Sequence, residues 1–186
     1  MDPELQEAIE HLVIHEYELD EPGIQAGMFL MDYKGRVMAV VGSLDEKTGN
    51  RWFNYATDAK RQPGSTFKAV SAYAVAMSQN MINYSTLLKD EPLPNYFGPG
   101  SPGPNNWMRK FFEHMTVAEA LGISQNAPAA QLVDALSPQY CYDFLTTKMG
   151  FTSLRYDSDR NHVGAMAIGG LEDGVTVREM TAAFAV

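Results

Sequence analysis

The stretch Gln62-Pro-Gly-Ser-Thr-Phe-Lys68 leads directly into Ala-Val-Ser-Ala-Tyr-Ala-Val-Ala-Met over residues 69–77. Its proline and glycine are turn residues, and the residues that follow predict a helix from about 66 to 79. Residues three apart on a helix share a face, so Ser65 and Lys68 are expected within about 5–6 Å of each other. The helix dipole and an apolar surround would lower the pKa of this lysine. A neutral amine beside a serine hydroxyl can accept its proton and so create a nucleophile.

Short Ser-x-x-Lys strings also arise by chance, and a helix cap followed by a solvated lysine is the alternative interpretation. The flanking residues favour the catalytic one. The segment Arg61-Gln-Pro-Gly-Ser-Thr-Phe-Lys68 closely resembles the active-serine segment of penicillin-binding proteins, above all the transpeptidase domain of the bifunctional, class A type. The resemblance implies that Ser65 is the nucleophile and that Lys68 is its base.

A second motif of that family is Ser-x-Asn, which is uninformative without its context. Here Thr116-Val-Ala-Glu119 predicts a capping box and a short helix that ends near Gly122. Ser124-Gln-Asn126 follows this helix and lies 59 residues after Ser65. The order and the preceding helix resemble the family pattern. The resemblance implies that Ser124 relays a proton to the leaving amine. It also implies that Asn126 holds the substrate's amide group while hydrogen-bonding near the lysine.

The composition limits the class of protein. The chain has 186 residues, 45% of them hydrophobic, and no apolar run long enough to span a bilayer. Its net charge of −9 argues against a nucleic-acid partner, because phosphate binding requires a basic surface. The single cysteine, Cys141, excludes an internal disulfide. His11 and His15 are spaced four apart but lack further ligands, so we predict a solvated helix face and no metal site.

The N-terminal region predicts one helix and one hairpin. Asp2-Pro3 is an N-cap followed by a proline at the first helical position, and apolar residues at helical spacing extend the helix to about 18. Residues 26–33 and 36–42 are strand-like and are joined by a tight turn at Lys34-Gly35. This layout resembles the first helix and first two strands of the transpeptidase fold. We therefore predict an α+β (α/β sandwich) fold of the serine β-lactamase/transpeptidase type, incomplete, with a helical subdomain.

The second half of the chain predicts a long loop and further helices. Residues 90–106 hold five prolines and three glycines and are interpreted as loop. A helix is expected from Pro138 with Gly150 as its stop, and a last one is capped by Thr176 with Glu179 three residues on. The run from 164 to 176 between them resembles a glycine-rich landmark of the family.

The family's third motif, Lys-Thr-Gly, would follow both earlier motifs on a strand. Lys47-Thr-Gly49 has these letters but precedes Ser65 in a polar loop, so we interpret it as coincidence. We expect residues 1–186 to be a single, partial transpeptidase domain without its C-terminal strands and closing helix. Such a chain should acylate slowly or not at all, and it should self-associate or be completed by a second polypeptide.

The implied function is that of a D,D-transpeptidase, which cross-links peptidoglycan stem peptides through an acyl-serine. The implied partners are the D-Ala-D-Ala end of a stem peptide and β-lactam antibiotics, without a cofactor. The implied location is the extracytoplasmic face of the bacterial cell membrane, reached through an anchor upstream. Two alternatives stay open. One is a class D-like β-lactamase or β-lactam sensor, although that class usually carries Ser-x-Val as its second motif. The other is a non-catalytic domain of the same fold used for protein binding.

Overall fold

The structure is a computed structural model that describes residues 1–16, 23–46 and 48–185. Short helices predominate within these residues, and two pairs of strands accompany them. The α-helices are α1 (Pro3–His11), α2 (Ala74–Ser78), α3 (Val117–Gly122), α4 (Asn126–Leu136), α5 (Pro138–Thr147), α6 (Val163–Ile168) and α7 (Val177–Phe184). The strands are β1 (Met28–Met31), β2 (Val37–Val41), β3 (Leu87–Asp90) and β4 (Glu113–Thr116). Leu12–Glu16 and Ala69–Tyr73 are π-helical, and Gly64–Thr66 and Asp159–Asn161 are 3₁₀ turns.

The chain divides into two compact units, Met1–Arg61 with Val175–Val186, and Gln62–Gly174. The first unit contains α1, the β1–β2 hairpin and α7, and the second contains the remaining helices and the β3–β4 pair. The predicted α+β class, with a helical subdomain, one N-terminal helix and two antiparallel strands, therefore agrees with the structure. The prediction of a single partial domain over 1–186 stays a prediction.

The first helix begins where its cap predicts. The backbone N–H of Leu5 donates to Asp2 Oδ1 at 3.3 Å, and Pro3 occupies the first helical position. The α-helix ends at His11, and the chain continues as a π-helical segment to Glu16. Residues 17 and 18, which the sequence analysis included in this helix, lie outside the described residues.

The hairpin of the first unit has one edge covered by α1. The strands pair antiparallel with Phe29 opposite Val40, and both are shorter than the predicted ranges of 26–33 and 36–42. The Gln6 side chain of α1 donates from Nε2 to the carbonyl of Val40 at 2.9 Å, and Gln6 Oε1 accepts from the Val40 N–H at 2.8 Å. The Asp2 N–H also donates to the Met38 carbonyl at 3.0 Å, so the start of α1 takes the place of a neighbouring strand at two residues of this edge.

In the second unit, Ser65 and Lys68 lie at the start of a helical run that is rich in small side chains. The chain is helical from Gly64 to Ser78, close to the predicted range of 66–79, and it changes from 3₁₀ to α to π and back to α geometry on the way. Helices α4 and α6 are in contact, and both carry buried alanines, such as Ala130 and Ala167. The ring of Phe67 meets that of Phe151 edge-on, with centroids 5.7 Å apart. This packing fixes the start of the Ser65 helix within the unit.

The β3–β4 pair was not predicted. Asp90 opposes Glu113, and Leu87 opposes Thr116, in a short antiparallel ladder. The sequences Leu-Leu-Lys-Asp and Glu-His-Met-Thr contain few residues that favour strands, which explains the omission. The predicted capping boxes at Thr116 and Thr176 are both present and begin α3 and α7.

Candidate active site

A glycine turn presents Ser65. Gly64 has a φ of +53°, a left-handed conformation that favours glycine, and the 3₁₀ turn Gly64–Thr66 follows directly. The Thr66 hydroxyl donates to the carbonyl of Pro63 at 2.6 Å and closes the turn. Ser65 is exposed to solvent, and no hydrogen bond of its hydroxyl is found among the described residues. The turn therefore leaves this hydroxyl accessible.

The glycine-rich segment after α6 fixes that turn. The side-chain amide of Gln62 pairs with the backbone of Leu171 in both directions: Nε2 donates to the carbonyl, and Oε1 accepts from the N–H at 2.7 Å. Gly169, at the left-handed end of α6, comes so close to Gly64 that an added Cβ would lie 2.3 Å from the Gly64 carbonyl oxygen. Only glycine permits this backbone contact. The glycine-rich segment thus supports the turn that precedes Ser65.

Lys68 is the buried base candidate. Its side chain is fully buried, and burial lowers the pKa of its amine to about 8. Nζ donates to the carbonyl oxygen of Ser124 at 2.7 Å and lies 3.1 Å from Ser124 Oγ. No ion pair of Lys68 is found in the part of the chain that the structure describes. An amine without a carboxylate partner can lose its proton near neutral pH, as a general base must.

Ser124 lies in the left-handed position that ends α3. Its φ is +59°, its N–H donates to the Leu121 carbonyl at 3.1 Å, and the Gln125 N–H donates to the Ala120 carbonyl at 2.9 Å. This pair of bonds is the Schellman motif, in which glycine usually occupies the left-handed residue. The helix ends at Gly122, as predicted, and the left-handed residue two positions later is Ser124. The motif turns both oxygens of Ser124 toward Lys68 Nζ.

Asn126 begins α4, two residues after Ser124. Its side-chain Nδ2 donates to the carbonyl of Asn105 at 2.6 Å, and its backbone N–H donates to Asn106 Oδ1 at 2.9 Å. The side chain is half-buried. The expected hydrogen bond near Lys68 is not found among the described residues, because the amide is engaged by the Asn105 carbonyl instead. The side-chain oxygen Oδ1 remains available to an amide N–H of a ligand.

The predicted site residues therefore converge in part. The structure joins Lys68 to Ser124 directly, while Ser65 and Asn126 are connected to this pair through one helical turn and one peptide segment. Sequence reasoning missed the supporting residues Gln62, Asp90, Asn105, Asn106 and Gln125. Asp90, Asn105 and Asn106 belong to the proline-rich stretch that was interpreted as plain loop, and no local pattern distinguishes them.

The described residues contain no group of three or more His, Cys, Asp or Glu side chains that could hold a metal ion. They also contain no helix with the length and apolar character that crossing a bilayer requires.

A comparison with known protein families gives a match over most of the chain. The profile described as "Penicillin binding protein transpeptidase domain" matches residues 26–185. This chain belongs to that family. The match covers the segments 62–68 and 124–126 and the glycine-rich landmark, so the family resemblance seen in the sequence is confirmed.

The transpeptidase domain has class A relatives among curated proteins. It is 31% identical over 165 residues to penicillin-binding protein 1F of Bacillus subtilis, covering 89% of this chain and 21% of the relative. It is 33% identical over 138 residues to penicillin-binding protein 1A of Neisseria cinerea, covering 72% and 16%. The chain thus spans about a fifth of the length of the curated relatives that it matches.

Solved structures agree with this assignment. The PonA1 protein of Mycobacterium tuberculosis, determined in complex with penicillin V, superposes with a TM-score of 0.77 at 25% identity. That match covers 100% of this chain and 49% of the PonA1 chain. Penicillin-binding protein 1A of Haemophilus influenzae gives a TM-score of 0.68 at 25% identity, covering 92% and 24%. Both comparisons support a partial α/β transpeptidase fold.

Proposed function

We propose that this transpeptidase domain forms an acyl ester on Ser65, as a D,D-transpeptidase that cross-links peptidoglycan and is acylated by β-lactams. One observation carries the proposal. Lys68, three residues after the serine, is fully buried without an ion pair among the described residues, and its amine lies 3.1 Å from the Ser124 hydroxyl. A buried amine that meets a second hydroxyl fits proton transfer better than it fits structural support.

In the first proposed step, Ser65 Oγ attacks the carbonyl carbon of the penultimate D-alanine, or of a β-lactam ring, and its proton passes to Lys68. The backbone N–H of Ser65 lies in the first turn of a helix, where such groups lack an intrahelical partner and can donate to the developing oxyanion. The bond from carbonyl carbon to nitrogen then breaks. The leaving amine takes a proton delivered through Ser124, whose hydroxyl is within reach of Lys68 Nζ.

In the second proposed step, the amine of a neighbouring stem peptide attacks the ester and restores the Ser65 hydroxyl. A new peptide cross-link results, and no cofactor takes part. Asn126 would accept from or donate to the substrate's amide group beside the ester. We place this reaction at the extracytoplasmic face of the cell membrane, where stem peptides occur. These steps concern a chain that matches only about a fifth of its curated relatives, so the activity of a whole protein is part of the proposal.

The test is covalent labelling with a fluorescent penicillin, followed by intact-mass measurement and peptide mapping. Because the chain is expected to acylate slowly or not at all, incubation should extend over hours. We expect one adduct on the peptide that contains Ser65. Ser65→Ala and Lys68→Met should abolish it. Ser78→Ala is the matched control: this serine is exposed near the other end of the same helical run, and its hydroxyl donates to the Val75 carbonyl at 2.7 Å.

Three outcomes distinguish the readings of the family. A stable adduct on Ser65 supports the transpeptidase. An adduct that forms and is hydrolysed within minutes supports a β-lactamase. No adduct after hours of incubation, in a wild-type chain that unfolds cooperatively, would contradict the proposal that this chain forms an acyl ester on Ser65.

A further inference from the structure

A buried carboxylate lies behind the Ser-x-Asn segment. The side chain of Asp90, at the end of β3, is fully buried and accepts three hydrogen bonds. They come from Asn106 Nδ2 at 2.7 Å, Gln125 Nε2 at 2.9 Å and the Phe112 N–H at 2.9 Å. No lysine or arginine pairs with Asp90 within the described ranges. The two oxygens of this side chain together provide enough acceptor sites for all three donors.

Two of these three donors control the residues next to Ser124. Gln125 is its immediate neighbour and is tied to Asp90 by its own side chain. Asn106, while donating to Asp90, accepts at Oδ1 from the backbone N–H groups of Asn126 at 2.9 Å and Ala127 at 3.2 Å. Asn106 and Gln125 are themselves buried. The C-terminal side of Ser124 is therefore held at three consecutive residues.

Ser124 needs such a support. A backbone φ of +59° is sparsely populated for any residue other than glycine. Such a residue keeps this conformation only where contacts with its neighbours stabilise it. The Schellman bonds tie the N–H groups of Ser124 and Gln125 back to α3, and the Asp90 network holds residues 125–127 through side chains. The result is that its carbonyl and hydroxyl oxygens both lie within hydrogen-bonding distance of Lys68 Nζ.

We propose that Asp90 is a positioning residue: through Gln125 and Asn106 it holds Ser124 in the left-handed conformation and so directs the Ser124 hydroxyl at Lys68. The effect on acylation rests on the proposed function, but the conformational effect does not. A merely structural Asp90 would tie β3 to its neighbours without any influence on the backbone of residue 124.

The first experiment compares glycine with alanine at position 124 by thermal unfolding. Both Ser124→Gly and Ser124→Ala lack the hydroxyl, and only alanine is strained at positive φ. In the otherwise unchanged chain, the glycine variant should melt about 2–4 °C above the alanine variant. In an Asp90→Asn background this difference should vanish or reverse, because residue 124 is free to relax. Whichever way the new amide is turned, it cannot accept from all three donors.

The matched control is Asp159→Asn. Asp159 is also a buried carboxylate of the second unit, and it accepts from the N–H groups of Arg155 at 2.7 Å and Glu172 at 2.8 Å. Neither donor belongs to residues 120–127. The higher melting temperature of the glycine variant relative to the alanine variant at 124, the glycine advantage, should therefore persist in this background. If the advantage also persists in Asp90→Asn, the proposal is overturned.

A milder variant protects the test against misfolding. Gln125→Met removes the bond to Asp90 together with Gln125 Oε1, a buried oxygen that has no partner among the described residues. Its core volume is nearly kept, so it should fold. We expect it to reduce the glycine advantage at 124 in the same direction. An unchanged advantage in this folded variant would overturn the proposal as well.

The second experiment measures the rate of penicillin labelling of Ser65. Asp90→Asn and Gln125→Met should slow it by about 10–100-fold, because a displaced Ser124 no longer meets the amine correctly. Lost coupling at 124 with unchanged labelling would overturn the positioning role. If the wild-type chain takes up no penicillin, the proposed function fails, and the melting comparison still decides whether Asp90 holds Ser124.

Discussion

The two serine turns of the second unit differ in which residue adopts the left-handed conformation. Before Ser65, Gly64 takes φ +53° and the serine keeps ordinary helical geometry, whereas at the end of α3 Ser124 itself takes φ +59°. A left-handed conformation costs a residue with a side chain about 1–2 kcal/mol, and it costs glycine almost nothing. In the first turn the left-handed residue is the glycine next to the serine, whereas in the second turn the serine itself has the unfavourable backbone conformation. A strained serine needs support from its neighbours, and the Asp90 network is in position to provide it.

The largest expected difference between the two serines is in acylation. Ser65→Ala removes the nucleophile and should abolish covalent labelling by penicillin. Ser124→Ala removes only a proton relay, which typically contributes about 10²–10⁴-fold in rate, so slow labelling should remain. Time courses of the labelled band measure both. Equal and complete loss in the two variants would indicate that Ser124 does more than transfer a proton.

The pH dependence of labelling tests the amine that both serines approach. Lys68 must be neutral to accept a proton, and its pKa is about 8. The labelling rate should therefore rise about tenfold for each pH unit below 8 and level off above it. Rates measured from pH 6 to 9.5 check this. A flat profile would exclude Lys68 as the base, and a rate that still rises tenfold per pH unit at pH 9.5 would mean that the amine is solvated.

Gly169→Ala tests the close backbone contact between the end of α6 and the turn before Ser65. The new Cβ would lie 2.3 Å from the Gly64 carbonyl oxygen, and residue 169 has φ +74°. We expect a loss of about 2–3 kcal/mol in the free energy of unfolding, with slower labelling of Ser65. Gly170→Ala is the matched control, because an added Cβ there meets nothing within 4 Å. Urea unfolding of both variants measures the difference, and similar losses would mean that the close contact is unimportant.

Gly64→Ala gives the smallest effect and isolates conformational strain. An added Cβ meets nothing within 4 Å, so only the positive φ opposes alanine. We expect a loss of about 1 kcal/mol in the free energy of unfolding. Gly122→Ala, in α3 and equally free of contacts, should instead gain about 0.5–1 kcal/mol. If both substitutions changed the free energy of unfolding in the same direction, the positive φ of Gly64 would not be the cause of the loss.

The sequence predicted the features that depend on neighbouring residues. The caps at Asp2, Thr116 and Thr176 are present because each bonds a backbone N–H three residues away. The helical run after Pro63 and the helix before Ser124 were also predicted. The sequence order of Ser65, Lys68, Ser124 and Asn126 pointed to one family, and the family match over 26–185 confirmed it.

The supporting network could not be predicted in this way. Asp90 bonds side chains 16 and 35 residues away, and such distances follow from packing and not from local pattern. The positive φ of Ser124 could not be predicted, because serine has no preference for this backbone conformation. The end of α3 at Gly122 was predicted, but the left-handed conformation of Ser124, two residues later, was not. The strands β3 and β4 were missed because they are short and lack β-branched residues apart from Thr116.

The burial of Lys68 also affects how the whole domain responds to alkaline solution. Its pKa in the folded chain, about 8, is lower than the value of about 10.4 for a free lysine. Between these two pH values the unfolded chain binds more protons, so the free energy of unfolding should increase as the pH rises through this interval. Below pH 8 the full penalty of enclosing a charged amine applies. At neutral pH, Lys68→Met should therefore yield a more stable molecule that has lost its base.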